Sequence, residues 1–159
     1  MDTRPFLDKV MPEAWDAAEA YAATISKAVL QRGLSPQEVE FIKVRSSQIN
    51  GCAFCLDLHS RQARHAGIAQ QKLDLLPAWR ETDAYADREA AVLSITEAAT
   101  KLPLTGESRA ELAAARNILG EEAFVAAEWV AVTINAFNRI SILSGHPVRP
   151  RDADGKLIH

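Results

Sequence analysis

The chain has 159 residues, 48% of them apolar, and a formal net charge of −3. That length and apolar share suit one domain with a real core and no disulfide staples. The slight negative charge and the dispersed basic residues exclude the electrostatic footprint of a nucleic-acid binder.

The opening MDTRPFLDKVMPEAW lacks an apolar signal-peptide region, and no uninterrupted apolar stretch approaches membrane-spanning length. A cytoplasmic protein with no membrane partner is expected. Every long segment then has helical periodicity, and no run alternates with period two. A first helix is predicted from Pro12 to about Arg32, with Pro12 in its first turn, Gly33 as its stop, and Trp15, Ala18, Ala22, Ile25 and Val29 on its apolar side. Ser35-Pro36-Gln37-Glu38 is a capping box that starts a second helix, which runs through VEFIKVRSSQIN to a turn at Asn50-Gly51. A third helix begins at or just before Cys52 and ends near Gly67, and a short helical piece covers Gln70 to Trp79. Another helix spans about Ala86 to Lys101 and is closed by Leu102-Pro103; Ser108 is the predicted cap of the next, which ends near Gly120. The last helix, roughly Glu121 to Leu143, is apolar nearly all round and is expected to be buried in the core or in a subunit contact. The tail HPVRPRDADGKLIH is polar with two prolines and is expected to be extended or mobile. The expected fold class is therefore all-α, a single-domain helical bundle over residues 1–159, with a CxxC motif at the N-terminus of a central helix.

Cys52 and Cys55 are the only cysteines, and His59 follows them. A lone CxxC in a chain of this kind points to redox or metal chemistry in a reducing compartment. At the start of a helix both cysteines meet free N–H groups and partial positive charge, which favour thiolate over thiol. His59 lies four residues beyond Cys55 and seven beyond Cys52, so helical spacing puts all three on one face and lets the imidazole exchange a proton with a thiol. If the second and third helices pack antiparallel about Gly51, Glu40 and His59 are offset by roughly 4.5 Å of helix rise. Val44 and Ser47, on the face of Glu40, are small enough to let the helices approach. A carboxylate there orients the imidazole as the third member of a nucleophile–base–orienter set.

Blander readings exist for each residue. Zinc would need Glu40 or His65 beside the two thiolates and His59, and no second Cys/His pair is present to complete a structural site, so no metal and no cofactor are expected. Phe54 is read as packing, and Arg45, Arg61 and Arg139 as surface or interhelical salt-bridge partners. His65, six residues past His59, points elsewhere, and His146 and His159 lie in the tail region. A thioredoxin-like context is set aside, because the residues before the motif are helical rather than a strand.

The run EFIKVRSSQINGCAFCLDLH, continued by HSRQARHAG, the LPAWRET segment with Trp79, and INAFNRI, resembles the AhpD-like alkylhydroperoxidase family within the carboxymuconolactone decarboxylase superfamily. The resemblance covers roughly residues 34–148 and leaves 149–159 as a polar tail. It implies an all-α fold whose protomers form homo-oligomers, often trimers or hexamers. It also implies an antioxidant peroxidase that reduces alkyl or hydrogen peroxides through a dithiol/disulfide cycle. By position, Cys55 resembles the peroxide-attacking cysteine, Cys52 its disulfide partner, and His59 and Glu40 the proton-relay pair. The implied partners are a peroxide substrate and an external dithiol reductant such as a lipoyl protein. The best-studied branch has a further histidine just before the second cysteine; this chain has Phe54 there. The true decarboxylase branch lacks the cysteine pair, which argues against lactone decarboxylation. A different class of function, a redox sensor or scaffold with little turnover, uses the same dithiol.

Overall fold

A computed structural model describes residues 4–159. Its helices are α1 (Leu7–Val10), α2 (Pro12–Gln31), α3 (Pro36–Asn50), α4 (Ala53–His65), α5 (Gln70–Leu75), α6 (Asp87–Thr100), α7 (Gly106–Leu119) and α8 (Glu121–Ser144). A 3-10 segment, Leu76–Glu81, follows α5. Among the described residues no strand forms; one isolated antiparallel bridge pairs Arg151 with Leu157. The all-α class expected from the periodicity is the one observed.

Helix α3 is central and packs against α4, α6 and α8. Its start is fixed as the sequence predicts: the Ser35 hydroxyl accepts from the Glu38 N–H at 3.1 Å, and Glu38 Oε2 accepts from the Ser35 N–H at 2.9 Å. The core joins Phe41, Ile42 and Val44 of α3 to Val92, Leu93 and Ile95 of α6 and to Ala127, Ala131 and Ile134 of α8. Small alanines on α8 let its backbone come close to the branched side chains of the other two helices.

Two polar knots tie these helices together. Glu97 of α6 accepts from Arg45 of α3 at 2.9 and 3.0 Å, from the Trp79 indole at 3.0 Å and from Arg80 at 2.6 Å. Burial pushes its carboxyl pKa up, but the bonds from Trp79 and Arg45 and the charges of Arg80 and Arg45 hold it below the ordinary value. One to two turns further along α3, Asn50 donates to the side-chain oxygens of Asn135 and Asn138, both at 2.9 Å, and Asn138 donates to the Ser47 hydroxyl at 3.0 Å. This second knot anchors the end of α3 to α8 directly before the cysteine turn.

Several local expectations are corrected. Helix α1 breaks before Pro12 and carried too little periodicity to be foreseen. The cap of α7 is Thr105, whose hydroxyl accepts from the Ser108 N–H at 3.1 Å; Ser108 is the reciprocating third residue, bonding back to the Thr105 N–H at 2.7 Å. Ser47 serves the contact with α8 rather than the approach of α4. Val125, Trp129, Val132 and Leu143 of α8 are exposed on the single chain, so the expected complete burial of that helix does not hold within one protomer. The tail is folded: Asp152 Oδ1 accepts from the N–H groups of Asp154 and Lys156 at 3.0 and 2.9 Å, and Arg151 reaches Asp57 of α4 at 3.4 Å.

Candidate active site

The site is built on the α3–α4 hairpin. Gly51 closes α3 with a left-handed backbone, φ +68°, a conformation glycine adopts without steric cost. The chain reverses there and Cys52 becomes the N-cap of α4. Its sulfur accepts from the Cys55 N–H at 3.3 Å, taking the place that a serine or aspartate oxygen usually fills. Cys52 and Cys55 are disulfide-bonded, with Cα atoms 5.3 Å apart.

The two sulfurs have different surroundings. Both residues are buried, but Cys55 lines a cavity of about 770 Å³ whereas Cys52 lies away from it. The expectation of three groups on one face is therefore met by Cys55 and His59, which line the same cavity. Cys52, at the cap, turns inward.

The antiparallel hairpin brings Glu40 to His59. His59 Nδ1 lies 3.2 Å from Glu40 Oε2 and 3.0 Å from Gln62 Oε1. Both partners are acceptors, so Nδ1 carries a hydrogen, and Nε2 has no hydrogen-bond partner among the described residues. Glu40 is only 8% exposed and does not reach the cavity. Lys43 Nζ, at 3.6 Å from its other oxygen, supplies a countercharge. The imidazole thus stands between a buried carboxylate and the cavity that holds Cys55, with one nitrogen free to exchange a proton.

The other walls come from distant chain. The apolar side of α2 predicted from periodicity faces the cavity through Trp15, Ala22, Ile25 and Val29, and α8 adds Val130, Ile134 and Phe137. Trp15 and Phe137 meet edge to face with centroids 5.6 Å apart. Phe54 is 39% exposed and packs, as expected, with its ring against that of His146 at 5.5 Å. His146 was placed in the tail by sequence reasoning and missed as a site residue. Its Nε2 lies 3.1 Å from Asp8 Oδ1 of α1 and its Nδ1 is hydrogen-bonded to the Ser141 hydroxyl at 3.4 Å. No sequence spacing links residues 8 and 146. His65 lines a second recess, with Glu40, Gln62 and Arg61, rather than the cavity of Cys55. Arg45 is the interhelical partner expected of it, Arg61 pairs with Asp57 within α4 at 3.1 Å, and Arg139 bonds the Asn135 carbonyl at 3.0 Å. Among the described residues no three His, Cys, Asp or Glu side chains gather into a metal-ligand set.

The chain is an all-helical domain with a cysteine pair at a helix N-terminus and a histidine–carboxylate pair beside it. The carboxymuconolactone decarboxylase family model matches residues 15–98, and the chain belongs to that family, within its AhpD-like group. It is 36% identical over 122 residues to the uncharacterized protein YdfG of Bacillus subtilis (strain 168), covering 77% of this chain and 83% of that one. It also resembles the crystal structure of ATU0492 from Agrobacterium tumefaciens, a protein of unknown function and a candidate antioxidant defence protein AhpD. That similarity has a TM-score of 0.77 and 34% identity, covering 92% of this chain and 99% of the other.

Proposed function

We propose that the protein is a peroxidase that reduces alkyl hydroperoxides or hydrogen peroxide through a Cys55/Cys52 dithiol cycle. The observation that carries this reading is the division of labour around the cavity. Cys55 shares it with His59, Glu40 holds the far nitrogen of that imidazole at 3.2 Å, and Cys52 waits on the buried side within bonding reach.

In the reduced protein His59 Nε2 accepts the Cys55 proton, and Glu40 and the α4 N-terminus stabilise the resulting charges. The thiolate attacks one peroxide oxygen, the O–O bond breaks, and the departing alkoxide takes the proton from His59 and leaves as alcohol. Cys55 is now a sulfenic acid. The Cys52 sulfur, held at the N-cap by the Cys55 N–H, displaces hydroxide from it; with the Cys52 proton this leaves as water and the disulfide forms. An external dithiol such as a dihydrolipoyl group reduces that disulfide by exchange and becomes the oxidised partner. The cycle fits a reducing compartment, and no bound cofactor enters it.

Self-association belongs to the same reading. Trp129 and Val132 are 48% and 52% exposed on α8, a face that a second copy would cover. Dithiol-dependent peroxide consumption tests the function. The wild type should turn over and Cys55→Ser should not; turnover retained in that variant removes the assignment. A wild type that forms and releases its disulfide while consuming no peroxide would be a redox sensor instead.

A further inference from the structure

The peroxidase reading leaves the large cavity unexplained, because hydrogen peroxide needs none of it. Its volume, about 770 Å³, falls in the range of pockets for whole organic ligands, about 300–1,000 Å³. One part is apolar, with Trp15, Ile25, Val29, Ile134 and Phe137 facing each other across it. The part beside α4 is cationic. Asp57 is the one carboxylate between two guanidinium groups, 3.1 Å from Arg61 and 3.4 Å from Arg151. One charge therefore faces two. The Nε of Arg61 is buried without a hydrogen-bond acceptor, and the Nε of Arg151, though 3.4 Å from Asp57 Oδ1, makes no hydrogen bond. Buried unpaired donors are costly, and guanidinium donors suit the paired oxygens of a carboxylate. Arg149 lines the same cavity, is exposed, and forms no ion pair among the described residues.

We propose that this cavity binds a single-chain amphiphilic carboxylate, its alkyl chain against α2 and α8 and its carboxylate at Arg61, Arg149 and Arg151. Resting on the peroxidase reading, this makes the substrate a hydroperoxide of a fatty-acid type. Arg61 lies six residues beyond Cys55 on α4, about 9 Å of helix rise. The hydroperoxide is accordingly carried several methylenes from the carboxylate, which is where Cys55 and His59 meet the chain. Val29 and Ile134 close the apolar part with buried side chains, so the chain leaves water along its length.

Calorimetric titration of the full-length disulfide form with decanoate and with decanol tests the site without any turnover. Decanoate should bind once per protomer and at least about tenfold tighter than decanol, the value of one charge-assisted contact. Arg149→Ala and Arg151→Gln should each narrow that gap about tenfold, with folding checked by circular dichroism. Equal affinity for acid and alcohol, a gap unmoved in both variants, or no saturable binding of decanoate overturns the proposal. Rates on linoleic acid hydroperoxide and its methyl ester separate this failure from that of the catalytic reading. Selective decanoate binding with no peroxide consumed keeps the carboxylate site and removes the peroxidase. Equal consumption of acid and ester without a decanoate preference removes the carboxylate site and keeps the peroxidase.

Discussion

Two histidines line the same cavity, each paired with a carboxylate, and they are wired differently. His59 meets both of its acceptors, Glu40 and Gln62, through Nδ1 and leaves Nε2 open. His146 uses both nitrogens, one on Asp8 and one on Ser141. An imidazole with a spare lone pair can move a proton; one with both nitrogens engaged is a clasp. What His146 clasps is clear from its neighbours. The Leu7 N–H donates to Ser144 at 3.0 Å, Arg4 donates to the Ile142 carbonyl at 2.8 Å, and Phe6 meets the His146 ring at 5.0 Å. The second pair pins the N-terminal helix to the end of α8 and shapes the cavity mouth. Similar residues in similar pairs thus form a seam in one place and, on the proposed reading, a proton relay in the other.

The comparison breaks if the two imidazoles behave alike. His59→Ala should lower the second-order rate of the reduced protein with peroxide about 100-fold, the usual worth of a positioned acid–base group, and move the Cys55 thiol titration upward. His146→Ala should change that rate less than about threefold in the same stopped-flow measurement, well below acid–base magnitude. A matching loss in the two variants would make His146 part of the relay. Between these lies Glu40→Gln. It keeps the shape and removes the charge behind His59, so a loss of about tenfold is expected, one charge-assisted hydrogen bond, with the pH–rate profile displaced.

The smallest effect sharpens the clasp. Burial raises the Asp8 carboxyl pKa, but the bond from His146 and the bond and charge of Lys9 outweigh it and hold it below the ordinary aspartate value. A carboxyl lowered on folding stabilises the fold above its unfolded pKa, about 3.9, and that contribution fades as pH falls through the folded value. Asp8→Asn should therefore melt roughly 3 °C below the wild type at neutral pH. The difference should begin to shrink below about pH 3.9 and close only once the pH has fallen through the lower folded value. A gap that persists in acid would mean that Asp8 acts through packing alone.

Much of the α3–α4 hairpin is legible in the sequence because it is local. The Ser35–Glu38 box, the Gly51 turn and the four-residue step from Cys55 to His59 are short-range patterns, and the meeting of Glu40 with His59 follows once two helices reverse about one glycine. Thr105 was passed over for Ser108 because in a reciprocal box either hydroxyl makes a plausible first cap. Phe54 packs as its aromatic character suggests, but that its partner is the ring of His146 at the cavity edge follows only from the tertiary structure.

Composition and periodicity determined that this chain is helical, and residue spacing determined which groups stand beside the reactive sulfur. Such features depend on contacts within a turn or across one hairpin, where the chain has few ways to go. Which sulfur faces the cavity, that the tail returns to α1, and that Asp57 is shared by Arg61 and Arg151 were decided by tertiary structure. Those contacts join residues up to 138 positions apart. Their partners are selected by how whole helices pack, and no local pattern encodes that.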